Sequence, residues 1–181
     1  MPITGINPAH ERTTAPYENW RPPIIGVSLL IPIGTDALVV ADLLGSIMLP
    51  TGPVHDYQTP EQAALNVLHG PEDGCPLLRR AALAWVQMRR RKVITHVLAT
   101  APMTKSDAGQ LTYHDPRAVV RVLPTLRIVD DLPEPGRLRV LVGLQALATG
   151  ETGYIEGGVV LPSPPPDLFE CPRTSQPIAP N

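Results

Sequence analysis

The sequence has little cysteine and no long apolar run. Its two cysteines among 181 residues, Cys75 and Cys171, are not spaced as a metal motif. No segment approaches the roughly 18 apolar residues that indicate a membrane span. The start of the chain also lacks a basic segment followed by an apolar one, which predicts that there is no signal peptide. Together these features predict a protein of the reducing cytoplasm.

Net charge is also low, at −2. This balance predicts neither nucleic acid nor an anionic membrane as a partner. Proline, in contrast, is abundant: the 23 prolines exceed the usual share of about 5% and concentrate partly toward the ends. We therefore expect an extended N-terminal arm at residues 1–23, one globular domain at 24–150, and a proline-rich tail at 151–181.

The best-marked local structure is a helix that begins after Thr59. Thr59 can cap a free amide of the first turn, Pro60 suits the first helical position, and Gln62 completes the spacing of a capping box. Gly70 followed by proline predicts the end of the helix. The helix should therefore have about ten residues and bury Ala64, Leu65 and Leu68 on one side.

This stretch resembles the Nudix family. The family's box is a glycine, five residues, Glu, seven residues, and then Arg-Glu-apolar-x-Glu-Glu-x-Gly. Leu49-Pro50-Thr51-Gly52 resembles the family's Leu-Pro-Gly-Gly opening, and residues 59–65, Thr-Pro-Glu-Gln-Ala-Ala-Leu, resemble its helix start. The resemblance implies an α/β fold, a Nudix-like α/β/α sandwich with a mixed sheet, here with extended proline-rich termini.

The chemistry of the box differs from the family's. Gln58 stands at the first glutamate and Asn66 at the arginine, while Val67, Gly70 and Pro71 stand at the three later glutamates. In the family these glutamates hold the divalent metal that activates water on a diphosphate. Magnesium needs oxygen ligands, usually carboxylates. We therefore expect no metal site, no cofactor and no diphosphate hydrolysis.

Strand patterns surround this stretch. Apolar, β-branched runs predict strands at 24–33, 37–41, 93–100 and 118–123, although Asp115-Pro116 could equally cap a helix in the last of these segments. Residues 79–87 could form a helix or a strand, but the Nudix-like order favours a strand. This strand would pair antiparallel with 93–100 around a basic turn at residues 89–92. His96, inside that second strand, is expected to be a hydrogen-bonded core or edge histidine. A helix is predicted from Glu134 to Gly150, in which Gly143 permits close packing.

Four residues are candidates for general acid–base chemistry. His55 and Asp56 lie in residues 53–58, which we call the Gly52 loop, and His114 and Asp115 lie in the long polar segment 101–116. Such chemistry needs titratable groups within hydrogen-bond reach of a substrate. Solvated loop residues are the alternative, because neighbours in an extended chain point to opposite sides.

Five other residues are candidates for ligand binding. Arg89, Arg90 and Arg91 belong to a basic turn whose guanidinium groups suit phosphate or carboxylate. The aromatic rings of Tyr57 and Tyr113 could stack on a ligand. The alternative for the basic turn is a solvated hairpin tip.

Three functions remain open. The first is a Nudix-like protein that is degenerate for hydrolysis and binds a phosphorylated or anionic small molecule, or a protein partner. The second is an enzyme of altered, metal-independent acid–base chemistry on the same fold. The third is a structural or assembly subunit, a homodimer in which the proline-rich tail crosses to a second copy.

Overall fold

The computed structural model describes residues 21–70, 75–162 and 164. The expected N-terminal arm up to residue 20, and nearly all of the tail after Pro162, lie outside these residues. The strands are β1 (Ile24–Leu30), β2 (Pro32–Ile33), β3 (Ala37–Leu43), β4 (Ser46–Met48), β5 (Thr51–Pro53), β6 (Leu68–His69), β7 (Leu77–Gln87), β8 (Lys92–Thr100), β9 (Thr112–Tyr113), β10 (Ala118–Pro124), β11 (Gly153–Glu156) and β12 (Val159–Leu161). The helices are α1 (Pro60–Leu65), α2 (Lys105–Ala108), α3 (Thr125–Asp131) and α4 (Glu134–Thr149).

A mixed six-stranded sheet organises the fold, in the order β12-β11-β7-β8-β1-β5. Strands β7 and β8 pair antiparallel around the basic turn, as predicted. Strand β1 runs parallel to β8, with Val27 opposite His96. A second sheet has the order β10-β3-β2, with β4 paired to β3. The predicted mixed α/β architecture is therefore confirmed.

Two apolar clusters lie on opposite faces of the large sheet. Because side chains alternate along a strand, Leu29 and Leu30 point in opposite directions. Leu30 lies in the cluster that contains Val140 of α4 and Ile128 of α3. Leu29 packs in the cluster that contains Ala63 of α1. The sheet thus separates α1 on one face from α4 on the other, as in an α/β/α sandwich.

Gly143 lies where α4 approaches the sheet closely. A Cβ atom built at this position would be 3.0 Å from Leu30 Cδ2 and 3.6 Å from Val97 Cγ1. The close packing that the sequence predicted is therefore present. It offsets the roughly 1 kcal/mol by which glycine disfavours a helix interior.

Several boundaries differ from the sequence predictions. The apolar run at 24–33 is divided into β1 and β2, and Pro32 opens the second piece because it cannot donate to a strand partner. Helix α3 was not predicted. Strands β11 and β12 extend the large sheet to Leu161, so the predicted domain end at residue 150 falls too early. No helix in the described part of the chain is both long and apolar enough to cross a membrane.

Candidate functional site

Helix α1 begins as the sequence predicts. Gln62 N–H donates to Thr59 Oγ1 at 3.2 Å, and Thr59 N–H donates to Gln62 Oε1 at 2.9 Å. These two bonds form the capping box, with Pro60 in the first turn. The box gives the backbone amides of both Thr59 and Gln62 a hydrogen-bond acceptor. It therefore fixes the direction in which the chain passes from the Gly52 loop into α1.

The helix ends earlier than predicted. It has six residues, Pro60–Leu65, and not about ten. After Asn66 the chain turns into β6, where Leu68 pairs with Tyr113 of β9, and His114 N–H donates to Val67 O at 3.1 Å. Pairing with the 112–114 segment therefore replaces the helical turns that would follow.

Val67 is a packing residue in this arrangement. Its side chain is 1% exposed. A Cβ atom added to Gly52 would lie 2.9 Å from Val67 Cγ2, so glycine permits the close approach of β5 to the end of α1. The valine side chain has no atom that could bind a cation, and it packs against Gly52.

A cavity of about 210 Å³ opens between β5, the following loop and α1, and we call it the Gly52 cavity. Its lining consists of Gly52, Pro53, His55, Gln58, Ala63, Asn66, Val67 and His114. The structure thus places His55 and His114 on the same cavity, although 58 residues separate them in sequence. Gln58 and Asn66 entered the sequence analysis only as positions of the altered box. The location of His114 beside the other three polar side chains depends on the pairing of β6 with β9.

Asp56 and Asp115 do not line the Gly52 cavity. Asp56 is an exposed loop residue. Both Asp115 carboxylate oxygens accept from Arg117, the shortest bond being 2.7 Å to Arg117 Nη2. Hydrogen bonds from the Arg117 side chain, and then from its backbone, lower the pKa of Asp115 to about 2. A carboxylate held in this way is a weak proton acceptor at neutral pH.

The two tyrosines have different environments. Tyr57 is fully exposed, with a left-handed φ of 67°. The Tyr113 hydroxyl donates to Thr51 O and accepts from Thr51 N–H at 3.3 Å, and burial raises its pKa. The Tyr113 ring contacts the His114 ring, with 4.2 Å between centroids. Tyr113 therefore ties β9 to β5 and supports His114, and its hydroxyl is already engaged.

The basic turn lies at the tip of the β7–β8 hairpin. Arg89 and Arg90 are exposed, and Arg91 is half-buried. None of the three lines the Gly52 cavity. Their role in ligand binding remains a prediction. Cys75 is buried, and burial raises the pKa of its thiol. Burial therefore disfavours the thiolate that a nucleophilic cysteine requires.

His96 differs from expectation. Its Nδ1 atom is buried and has no hydrogen-bond partner within the described residues, so the expected hydrogen bonding is absent at this atom. Burial, and then the positive charge of Arg80, lower the pKa of His96 to about 4. Arg80 itself pairs with Glu61 at 3.4 Å, and Glu61 opposes the shift. The ring is therefore held neutral at physiological pH.

This neutral histidine makes stability depend on pH. The unfolded chain binds a proton at residue 96 below about pH 6.5, whereas the folded chain binds one only below about 4. Stability should therefore be lost as pH falls through this window. We expect about 1–2 kcal/mol, a value reduced for solvent screening because the ring is partly exposed. His96→Gln should flatten the curve of unfolding free energy against pH, measured by urea titration, while His69→Gln at an exposed position should not. Equal slopes for wild type and His96→Gln would contradict this.

Comparisons with known structures identify the fold. The solution structure of the E. coli ORF135 protein is 13% identical, covers 71% of this chain and 92% of its own, and superposes with a TM-score of 0.52. A NUDIX hydrolase from Nitrosomonas europaea is 11% identical over 76% of this chain and 79% of its own, with a TM-score of 0.54. A MutT protein from Methanosarcina mazei Go1 is 14% identical over 70% of this chain and 96% of its own, also with a TM-score of 0.54.

These likenesses establish that the chain has the Nudix fold. The resemblance found in residues 49–65 is thereby confirmed at the level of architecture. No protein-family model matches the sequence, and no curated protein matches it either. At such low identity the shared fold carries no activity with it, so function must be argued from the residues of the site.

Proposed function

We propose that this Nudix-fold protein binds a small polar or anionic molecule in the Gly52 cavity and does not hydrolyse diphosphates. The observation that carries the proposal is the presence of four polar side chains on a largely apolar cavity: two imidazoles and two amides, from His55, His114, Gln58 and Asn66. The amides of Gln58 and Asn66, and the ring nitrogens of the two histidines that are not engaged elsewhere, can donate hydrogen bonds to phosphate or carboxylate oxygens, while His114 Nδ1 lies 3.4 Å from Val67 O. Val67 and Ala63 supply an apolar wall beside them.

The residues at the box positions do not fit the divalent cation that the fold family implies. Gln58 and Asn66 carry amides, Val67 is apolar and Gly70 has no side chain. In the described ranges, no three His, Cys, Asp or Glu side chains come together as a metal group. Glu72 and Asp73, the acids that follow the box in sequence, lie outside those ranges. A hard cation that needs several carboxylates therefore has no support from the side chains of the Gly52 cavity.

The size of the cavity limits the ligand. Its volume of about 210 Å³ is below the 300 Å³ or so at which pockets begin to enclose drug-sized ligands. The Gly52 cavity therefore suits one phosphate, one carboxylate or one small ring of a larger molecule. In this proposal the basic turn at Arg89, Arg90 and Arg91 contributes positive potential to the approach of an anion.

Binding is tested with pyrophosphate as the probe. We expect pyrophosphate to shift the imidazole NMR signals of His55 and His114, and His114→Asn to weaken its affinity by about tenfold, the loss of one good charge-assisted bond. His69→Asn, which changes an exposed histidine on β6, is the matched control. Unchanged imidazole signals at both cavity histidines would contradict the proposal.

Hydrolysis is tested separately. We expect no release of phosphate or nucleoside monophosphate from nucleoside diphosphate derivatives with Mg²⁺ or Mn²⁺, because the altered box offers no carboxylate set. The assay compares wild type with Glu61→Gln, since Glu61 is the one acid within α1. Metal-dependent turnover that Glu61→Gln abolishes would overturn this part of the proposal.

A second candidate is an enzyme of metal-independent acid–base chemistry. It is favoured by one observation, the presence of His55 and His114 on one cavity, because two imidazoles can serve as acid and base. Turnover of a metabolite panel, lost in both His55→Asn and His114→Asn, would favour this candidate. Binding without turnover would favour the first. A homodimeric assembly and a cytoplasmic location remain predictions.

A further inference from the structure

A second cavity lies on the opposite face of the large sheet. It has a volume of about 330 Å³ and opens between the start of α4 and strands β7, β8 and β11, and we call it the α4 cavity. Ala84 pairs with Thr95 and Val86 with Val93, so these four residues share one face of the sheet. That face continues to Val97, which packs in the same cluster as Val140 of α4. The α4 cavity is therefore separated from the Gly52 cavity by the sheet itself.

The walls of the α4 cavity are mostly apolar. Val86 remains 40% exposed. Val93 and Leu138 are half-buried, and Ile155 is almost fully buried. Its volume falls within the range of about 300–1,000 Å³ that is typical of small-molecule sites. Apolar surface that neighbouring side chains leave unfilled favours a ligand with an apolar body.

Arg139 supplies a positive charge to this apolar surface. It lines the α4 cavity and is half-buried. Its Nε–H donates to Pro135 O at 3.0 Å, which holds the guanidinium along α4 toward the start of the helix. Burial lowers its pKa, because charge is less stable away from water.

The guanidinium of Arg139 lacks an acidic partner. Within 21–70, 75–162 and 164, no carboxylate lies within the 4.0 Å that defines an ion pair with it. The arginines that do have such partners in those ranges are Arg80, Arg117, Arg121 and Arg127. A half-buried guanidinium with unused donors is a natural partner for a carboxylate.

Glu134 restricts the charge of that ligand. It lines the same cavity from the exposed first turn of α4. Its carboxylate repels a second negative charge at close range. The cavity therefore combines an apolar wall, one cation that can bind a carboxylate, and one anion that disfavours dianions.

We propose that the α4 cavity is a binding site for a small apolar monocarboxylate. Its carboxylate binds Arg139, and its apolar body packs on Val86, Val93 and Leu138. The site is independent of the Gly52 cavity and of the function proposed for it. Thr95, which lies between Val93 and Val97 along β8, adds a hydroxyl to the lining of the α4 cavity.

The probes are phenylacetate and the uncharged phenylacetamide, which has nearly the same shape. They are titrated into the full-length protein while methyl NMR signals are followed. We expect phenylacetate to shift the methyl signals of Val86, Val93 and Leu138, and to leave Leu29, on the other face, unchanged. The amide should bind about tenfold more weakly, because it lacks the charge-assisted bonds. This comparison uses wild-type protein and so does not depend on how any variant folds.

Three variants test which charged side chains act on the bound carboxylate. Arg139→Gln should weaken phenylacetate by about tenfold, and Glu134→Gln should strengthen it about twofold to fivefold by removing a like charge. Arg127→Gln removes an equal charge at an exposed position of α3, and it should leave the affinity unchanged. Equal binding of acid and amide, no effect of Arg139→Gln in a protein with the wild-type melting temperature, or shifts confined to the α1 face would each overturn the proposal. Absence of binding by both probes would also overturn it.

Discussion

Replacing Leu68 by alanine should lower the free energy of unfolding by about 2–5 kcal/mol. Leu68 is 4% exposed and packs in the cluster on the α1 face of the sheet. Its removal leaves a cavity at the junction of α1 and β6, and the pairing of β6 with β9 limits how far the chain can relax. Leu65→Ala should cost less than about 1 kcal/mol, because Leu65 is 55% exposed.

Urea unfolding of the two variants under one set of conditions checks this prediction. The two leucines are three residues apart and lose the same atoms on mutation, so each is the matched control for the other. Equal losses would show that the α1 segment packs differently from the arrangement described here. A change in the slope of the urea transition would instead indicate an altered unfolded state.

The difference between these leucines corrects the sequence analysis, which placed Leu65 with Ala64 and Leu68 on one buried side. In the structure the buried residues of this segment are Ala63, Ala64, Val67 and Leu68. The prediction assumed helical periodicity through Leu68, but the helix ends at Leu65. The turn at Asn66 and the two-residue strand β6 replace the last helical turns, and Val67 and Leu68 are both buried in the same cluster there.

Local signals were sufficient for much of the fold. The capping box at Thr59 depends on residues three apart, and β8 is a run rich in apolar and β-branched residues. Helix α4 follows from its own apolar spacing and from Gly150, which adopts the left-handed C-cap conformation, with φ of 80°. Each of these features is determined within a few residues of sequence, so sequence alone could predict them.

Strand pairing between segments that are far apart in sequence determines the rest of the fold and the site. Strands β6 and β9 have two residues each, and Leu68 meets Tyr113 only because the fold brings these segments together. This contact ends α1 and carries His114 to the cavity that His55 lines. Both histidines could be identified from the sequence, but their location on one cavity depends on the pairing of segments 45 positions apart. Strands β11 and β12 were missed for a related reason, since a nearby proline-rich segment suggested a tail.

Gly153→Ala should destabilise the protein by about 1–3 kcal/mol through overpacking. Gly153 begins β11 opposite Ala82, and an added Cβ atom would overlap Val142 Cγ1 of α4. Val142 is 6% exposed, and its branched side chain has one strongly preferred rotamer in a helix, so it cannot easily turn away. The substitution must therefore push α4 from the sheet.

A double-mutant cycle with Val142→Ala identifies the cause. Val142→Ala alone should cost about 2–3 kcal/mol through loss of buried methyl groups. In the double variant the new methyl at 153 enters the space that the valine leaves. The combined loss should therefore be smaller than the sum of the single losses by about 1 kcal/mol or more. Gly136→Ala in the first turn of α4 is the control, because its added Cβ would lie 3.4 Å from Leu132 Cδ2, an ordinary contact. Strict additivity in urea unfolding would show that Gly153 and Val142 do not meet, and that β11 does not pack beneath α4.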